Sequence, residues 1–336
     1  MNNVKLLVTG GFGFIASNFI RYMLSKYRDV KIKNIDNLSA AANPANLKDI
    51  RKDPRYGFVK GDIANAKLVS KLAKDVDIIL NSAAETHVDR SISNPAPFVR
   101  SNVIGTFTVL EAVRRNNPAA KIIHVSTDEI YGDISRGSFK EDDRLNPSNP
   151  YAATKAAADM LALAYHRTYG LDVTVTRCTN NFGPYQHPEK LIPKTIIRAQ
   201  LKLPVPLYGE GKQIRDWIYV SDHCEALSQV IEKGKAGEIY NISAGNEMPN
   251  LKVVESILQL LSKPKDLIQF VEDRPGHDMR YSLDSTKIQR EIGWMPKYGF
   301  MEGLESTISW YMTNERWWKP LATERTLHRT PWKLKW

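Results

Sequence analysis

Short apolar runs alternate with amphipathic segments through the first half of the chain. The runs at 4–8, 30–35, 57–60, 76–81, 121–126 and 172–176 have strand length and end in polar residues. Between them, apolar positions recurring every three to four residues predict helices near 13–27, 65–74, 95–117 and 151–169. Alternation of this kind predicts an α/β fold with a doubly wound parallel sheet and helices on both faces. Ligands of such sheets bind beyond the carboxyl ends of the strands. Polar clusters stand at six of these ends: Thr9-Gly10, Asp36, Asp62, Ala83-Ala84-Glu85-Thr86, Thr127-Asp128-Glu129 and Asn180-Asn181.

Downstream the pattern becomes irregular and rich in turns. Residues 182–214 and 246–336 read as a smaller C-terminal lobe, and 1–181 as the sheet domain. The intervening 215–245 has strand-like pieces, Trp217 to Val220 and Ile239 to Ile242, that are expected to return to the sheet.

The first polar cluster has a specific context. A strand ending at Val8 runs into Thr9-Gly10-Gly11-Phe12-Gly13-Phe14-Ile15-Ala16, and a helical pattern follows. Glycines there let the backbone approach a pyrophosphate, and the helix start offers unpaired N–H groups to it. Gly10, Gly13, Phe14 and Ile15 are therefore candidate dinucleotide contacts. The second strand ends at Asp36, twenty residues beyond Ala16. A carboxylate at that point accepts hydrogen bonds from ribose hydroxyls and repels a 2′-phosphate, so the expected cofactor is NAD rather than NADP.

Tyr151 and Lys155 stand four residues apart in a helical pattern, hence on one face and one turn apart. A nearby ammonium favours phenolate, so Lys155 is expected to lower the phenol pKa and make Tyr151 a base for a sugar hydroxyl. Tyr and Lys at this spacing also occur as plain surface pairs. What adds weight is Thr127-Asp128-Glu129 at a neighbouring strand end. Adjacent carboxyl groups can act as acid and base only if burial and mutual repulsion separate their pKa values.

Composition sets no obstacle. The chain has 336 residues, 42% hydrophobic and 25% charged, with no apolar run long enough to span a bilayer. Met1 is followed at once by a core strand, which predicts no signal peptide and a cytoplasmic protein. Cys178 and Cys224 do not suggest a disulfide framework. The net charge of +10 is spread along the chain, so an anionic small molecule is expected rather than nucleic acid or a membrane. Basic and aromatic residues do gather between Lys319 and Trp336, which reads as an arm packed on the body. No His, Cys or carboxylate spacing predicts a metal site.

These features resemble the extended short-chain dehydrogenase/reductase family with its Rossmann sheet, and within it the dTDP-glucose 4,6-dehydratases. The resemblance spans nearly the whole chain. It rests on Gly10 to Ile15, Ala83 to Ser91, Ser126 to Gly132, Asn180 to Tyr185, Pro188 to Pro193, Arg215-Asp216-Trp217 and Asp273 to Asp278. It implies a lyase that removes water from dTDP-glucose for deoxysugar biosynthesis, with the C-terminal lobe binding substrate. Thr127, Asp128, Glu129, Tyr151 and Lys155 would be catalytic. Asn37, Asp62, Ile63, Ala83, Ala84, Ser101 and Asn181 would join the NAD contacts, along with Tyr151 and Lys155. Thr86, Thr127, Asn180, Glu189, Lys190, Leu191, Arg215, Asn250, Asp273, Arg274 and His277 would bind the nucleotide sugar, and Arg215 suits its diphosphate. The resemblance further implies a homodimer through the helices near 95–117 and 151–169, with faces at Val103, Phe107, Leu110, Ala158, Leu161, Ala164 and Tyr165.

The departures are modest. Ala16 replaces a third glycine, Thr86 stands for a usual serine, and the loop Asn37 to Asn43 lacks the family's aromatic. The stretch between Gly132 and Tyr151 is short for the family. A nucleotide-sugar epimerase or decarboxylase, a dehydratase of UDP-glucose, and a non-catalytic NAD-binding regulator remain as alternatives.

Overall fold

A computed structural model describes residues 3–336. Met1 and Asn2, and with them the expectation about the extreme N-terminus, lie outside the described residues. The strands are β1 (Lys5–Thr9), β2 (Lys31–Asp36), β3 (Tyr56–Lys60), β4 (Ile78–Asn81), β5 (Lys121–Thr127) and β6 (Val173–Cys178). They continue with β7 (Asn180–Phe182), β8 (Val205–Tyr208), β9 (Ile214–Tyr219), β10 (Ile239–Ile242), β11 (Glu247–Pro249) and β12 (Ile268–Val271). The helices begin with α1 (Phe14–Lys26), α2 (Ala66–Ala73), α3 (Val88–Ser93), α4 (Ala96–Phe98), α5 (Gly105–Asn116) and α6 (Pro150–Tyr169). After them come α7 (Leu191–Gln200), α8 (Val220–Lys233), α9 (Asn250–Leu260), α10 (Thr286–Ile292), α11 (Phe300–Thr313) and α12 (Glu315–Trp318).

Seven strands form one parallel sheet in the order β10-β6-β5-β4-β1-β2-β3. The order reverses between β1 and β4, and a ligand crevice opens at such a switch point. One face buries Phe19, Ile20 and Met23 of α1 against Leu227 and Val230 of α8. The other buries Val109 and Val113 of α5 with Ala162 of α6. Strands covered on both faces must be apolar nearly throughout, which explains their continuous hydrophobic runs.

The expectation for 215–245 holds in part. Ile239–Ile242 takes the edge of the main sheet beside β6. Ile214–Tyr219 does not. It pairs with β7 and β11 in a separate three-stranded sheet, because Phe182, Trp217 and Tyr219 bury their rings against Phe300 and Leu304 of α11. A second small sheet pairs β8 with β12.

The single helix expected over 95–117 is three pieces. Between α4 and α5, residues Val99–Ile104 wind as a π-helix, a geometry that often marks functional sites. Beyond α12 the chain runs back over the body and buries Leu327, Pro331 and Trp332. No helix among the described residues is long and apolar enough to cross a membrane.

Candidate functional site

The turn between β1 and α1 presses against the end of β4. Gly10 has φ +70°, and a Cβ there would lie 2.7 Å from the Ala83 Cα. Only glycine fits on both counts. Gly13 precedes α1 without a side-chain cap, so the first N–H groups of that helix stay free for an anion. Asp36 closes β2. Its Oδ2 accepts from Phe12 N–H at 3.0 Å and its Oδ1 from Leu38 N–H at 2.8 Å. Burial raises its pKa, and these two donors oppose the rise.

A large cavity runs from this turn across the sheet ends. Its wall includes Gly10, Gly13, Phe14, Ile15, Asp36, Asn37, Ile63, Ala83, Ala84, Thr86 and Ser101. It continues through Thr127, Asp128, Glu129, Tyr151, Lys155, Asn180, Asn181, Glu189 and Lys190. Asp62 is not part of this wall, although its neighbours Gly61 and Ile63 are. One oxygen accepts from Ala64 N–H at 2.8 Å and the other pairs with Arg100 at 2.9 Å.

The start of α6 is locally encoded. The Asn149 side chain caps Ala152 N–H at 2.9 Å, Pro150 opens the helix, and Gly170 closes it at φ +69°. Tyr151 and Lys155 thereby enter the cavity one turn apart. Tyr151 N–H donates to Ser91 Oγ at 3.2 Å, and its ring meets Phe98 edge-on at 6.3 Å. Lys155 Nζ donates to the Val125 carbonyl at 2.7 Å.

The expected lowering of the phenol pKa is not seen. Burial and the Glu129 charge push Tyr151 well above the ordinary phenol range, while a hydrogen bond with Thr127 acts the other way. Burial lowers Lys155, with Asp159 opposing. In the protein alone the phenol holds its proton, because desolvation disfavours the phenolate.

Thr127 Oγ1 donates to Asp128 Oδ1 at 3.0 Å and accepts from Glu129 N–H at 3.4 Å. Asp128 Oδ2 and Glu129 Oε2 are buried without hydrogen-bond partners. Burial, followed by the Glu129 charge, lifts Asp128 to about 8. Burial also raises Glu129, but Arg274, Lys190 and Arg215 pull it back toward the ionised form. Burial thus raises both carboxyls, and Glu129 is the one with three basic side chains opposing the rise.

A second cavity adjoins the first, and its wall includes Glu129, Asn180, Glu189, Lys190, Leu191, Arg215, Asn250, Arg274 and His277. Arg215 does not pair with the adjacent Asp216. It donates to the carbonyls of Ile214 at 2.7 Å and Asp278 at 2.8 Å and lies 4.1 Å over the Tyr281 ring. Asp216 instead accepts from Ser243 Oγ at 2.6 Å and Asn246 N–H at 2.7 Å. The Arg215 charge therefore stays available to an anion. Asp273 sits behind this wall and bonds His277 Nδ1 at 2.6 Å. Burial, then Arg274 and Arg215, lower His277 to about 4, so it is neutral near pH 7. Lys190 Nζ donates to the Thr86 carbonyl at 2.9 Å.

Sequence reasoning missed several groups. Asn102, in the π-helix, accepts from Glu85 N–H at 2.9 Å and donates to Thr154 Oγ1 at 2.9 Å, tying the β4 end to α6. Asp89 pairs with Arg274 at 2.9 Å and accepts from Tyr208 Oη at 2.8 Å, although these residues lie far apart in sequence. No local pattern announces such contacts. The expected dimer faces also need correction. Of the expected residues, Leu110, Ala158 and Tyr165 are buried within the fold, while Phe107 is 44% exposed and Ala164 is exposed too, as expected; Ile104 and Met160, outside that expectation, are 46% and 54% exposed. A helix turns only part of its circumference outward, and periodicity does not say which part.

Comparison with known proteins adds independent findings. Residues 7–307 match the family model described as GDP-mannose 4,6 dehydratase. A dTDP-glucose 4,6-dehydratase of Streptomyces niveus is 48% identical, over 95% of this chain and 96% of its own. A crystal structure of dTDP-glucose 4,6-dehydratase from Bacillus anthracis, in complex with NAD, is 49% identical and superposes with TM-score 0.89 over 95% of this chain and 99% of its own. That of the Streptomyces venezuelae dTDP-glucose 4,6-dehydratase, also with NAD bound, is 47% identical with TM-score 0.92 over 94% and 99%.

Proposed function

We infer the function from one premise: the chain belongs to the GDP-mannose 4,6 dehydratase family. It is an NAD-dependent hydro-lyase that converts dTDP-glucose to dTDP-4-keto-6-deoxyglucose for deoxysugar biosynthesis. The observation that carries this reading is the pairing of buried Asp128 with half-buried Glu129, which share one cavity wall with Thr127, Tyr151 and Lys155. The crowded Gly10 turn, the uncapped start of α1 and Asp36 suit a dinucleotide. When bound, NAD supplies a hydride acceptor that gives the hydride back later in the same turnover.

Tyr151 would act as the phenolate, the form that Lys155 and the positive charge of bound NAD⁺ would favour over the protonated phenol of the protein alone, and so take the proton of the hexose 4-hydroxyl, which Thr127 also holds. Lys155 carries the balancing positive charge against the phenolate. A ketone at carbon 4 acidifies the hydrogen on carbon 5, and Glu129 removes it. Asp128, protonated near neutral pH, gives its proton to the departing 6-hydroxyl. Arg215 and Asn250 hold the diphosphate, and Thr86, Asn180, Glu189, Lys190, Leu191, Arg274 and His277 surround the rest of the substrate. Asp273 orients His277. In this reading residues 1–181 and 215–245 serve NAD, and 182–214 with 246–336 serve the nucleotide sugar. The exposed apolar residues of α6 and of the helix over 99–116 pair across a two-fold axis in a homodimer. Two buried, unpaired cysteines suit a reducing cytoplasm.

The test is incubation with dTDP-glucose, then with UDP-glucose, and assay for the alkali-absorbing 4-keto product. Preferential conversion of dTDP-glucose is expected. Epimerisation at carbon 4 without loss of water would overturn the reading.

A further inference from the structure

The basic, aromatic arm beyond α12 is not absorbed by the chemistry above. It is anchored against Lys194 and Tyr208 of the second cavity's wall and against Arg198 beside Lys194 on α7. The Leu327 carbonyl accepts from Arg198 at 2.7 Å and the His328 carbonyl from Lys194 at 3.3 Å. Trp332 meets Tyr208 edge-on at 4.7 Å. At its end the Trp336 ring has two guanidinium groups over it, those of Arg90 and Arg325, each 4.3 Å from its centroid. Its indole N–H donates to the Pro331 carbonyl at 2.8 Å, which fixes the plane of the ring.

Arg90 leads inward from there. It donates to Glu189 Oε2 at 2.5 Å, and both side chains are buried. Glu189 belongs to the wall of both cavities. An indole over a guanidinium attracts the cation and shields that face from water, and an Arg so stacked keeps its fork in plane. The ion pair beneath is then stronger and better oriented than one open to solvent.

We propose that Trp336 is a positioning residue for nucleotide binding, acting through Arg90 to hold the Glu189 carboxylate in place. The proposal rests on the dehydratase reading, which puts a dTDP-sugar against Glu189. A mere strap would stabilise the fold as a whole, whereas a positioning residue changes affinity selectively.

The experiment uses the full chain with NAD and measures dTDP binding by calorimetry alongside turnover of dTDP-glucose. W336L keeps apolar bulk but removes the aromatic face. It should raise the Kd for dTDP about 3- to 30-fold and raise KM alike, with kcat, bound NAD and melting temperature near wild type. W336F should restore most of the affinity. In an R90A background, W336L should cause no further loss, since the two act in series. An unchanged Kd in W336L, or an equal added loss in R90A, would overturn the proposal. So would a joint fall of melting temperature, bound NAD and kcat. A wild type that carries NAD yet does not bind dTDP would instead refute the substrate assignment, and the proposal with it.

Discussion

Replacing Asp128 with Asn should stop water loss yet stabilise the protein at neutral pH. The side chain is 2% exposed, one of its oxygens has no hydrogen-bond partner, and burial with the Glu129 charge lifts its pKa to about 8. In the unfolded chain an aspartate titrates near about 3.9. The folded value is the higher one, so between about pH 4 and pH 8 the folded protein keeps a proton that the unfolded chain releases. Stability therefore falls as pH rises through that window and levels off above it. Asparagine has no proton to lose and escapes the fall. At pH 7 the difference of about 3 pH units from the unfolded value, at 1.36 kcal/mol each, gives an upper limit of about 4 kcal/mol. At about pH 4 it nearly vanishes. For 336 residues, an unfolding entropy of about 2 cal/mol/K per residue turns this into a melting shift of about 6 °C. The assay is differential scanning calorimetry of both proteins in saturating NAD, from about pH 4.5 to 8.5. The melting temperatures should diverge as pH rises, with the variant higher. Parallel profiles, or a variant that loses ground with rising pH, would refute the argument that Asp128 is held protonated by its surroundings.

Tyr151→Phe keeps the ring but removes the acid–base hydroxyl, so turnover should drop by about 10²–10⁴ with NAD retained, as stopped assays and cofactor content will tell. Near-normal turnover would assign the proton to another group. Glu129→Gln should leave the carbon-4 step intact but block removal of the carbon-5 hydrogen; mass spectrometry in deuterium oxide should find little label and little 6-deoxy product. Elimination at the wild-type rate would remove Glu129 as the base. Activity should also decline above about pH 8, as Asp128 loses its proton, and a profile flat to higher pH would contradict its role as the acid. Phe107→Glu puts a charge on the exposed apolar face and should shift sedimentation toward monomer; a wild type that is already monomeric at micromolar concentration would dispose of the proposed interface.

Much of this protein follows from local rules. The strand–helix alternation depends on side-chain period, and the first six sheet strands and helices α1, α2 and α6 fall within a few residues of where that period puts them. The Gly10 turn is legible because its backbone has positive φ and meets Ala83 closely, which glycine alone tolerates. Tyr151 and Lys155 share a face because a helix repeats every 3.6 residues. Asp128 and Glu129 are neighbours in the chain itself.

What packing decided is of another kind. The phenol of Tyr151 is raised, not lowered, because burial and the Glu129 charge outweigh any help from Lys155. Arg215 is free of Asp216 because Ser243 and Asn246 take that carboxylate. β9 leaves the main sheet because its aromatic residues find Phe300 and Leu304. Trp336 meets Arg90 although the two lie near opposite ends of the chain. Periodicity reports which residues share a face of their own element. Desolvation and long-range charge depend on what the other elements bring up against that face, and only the folded chain specifies it.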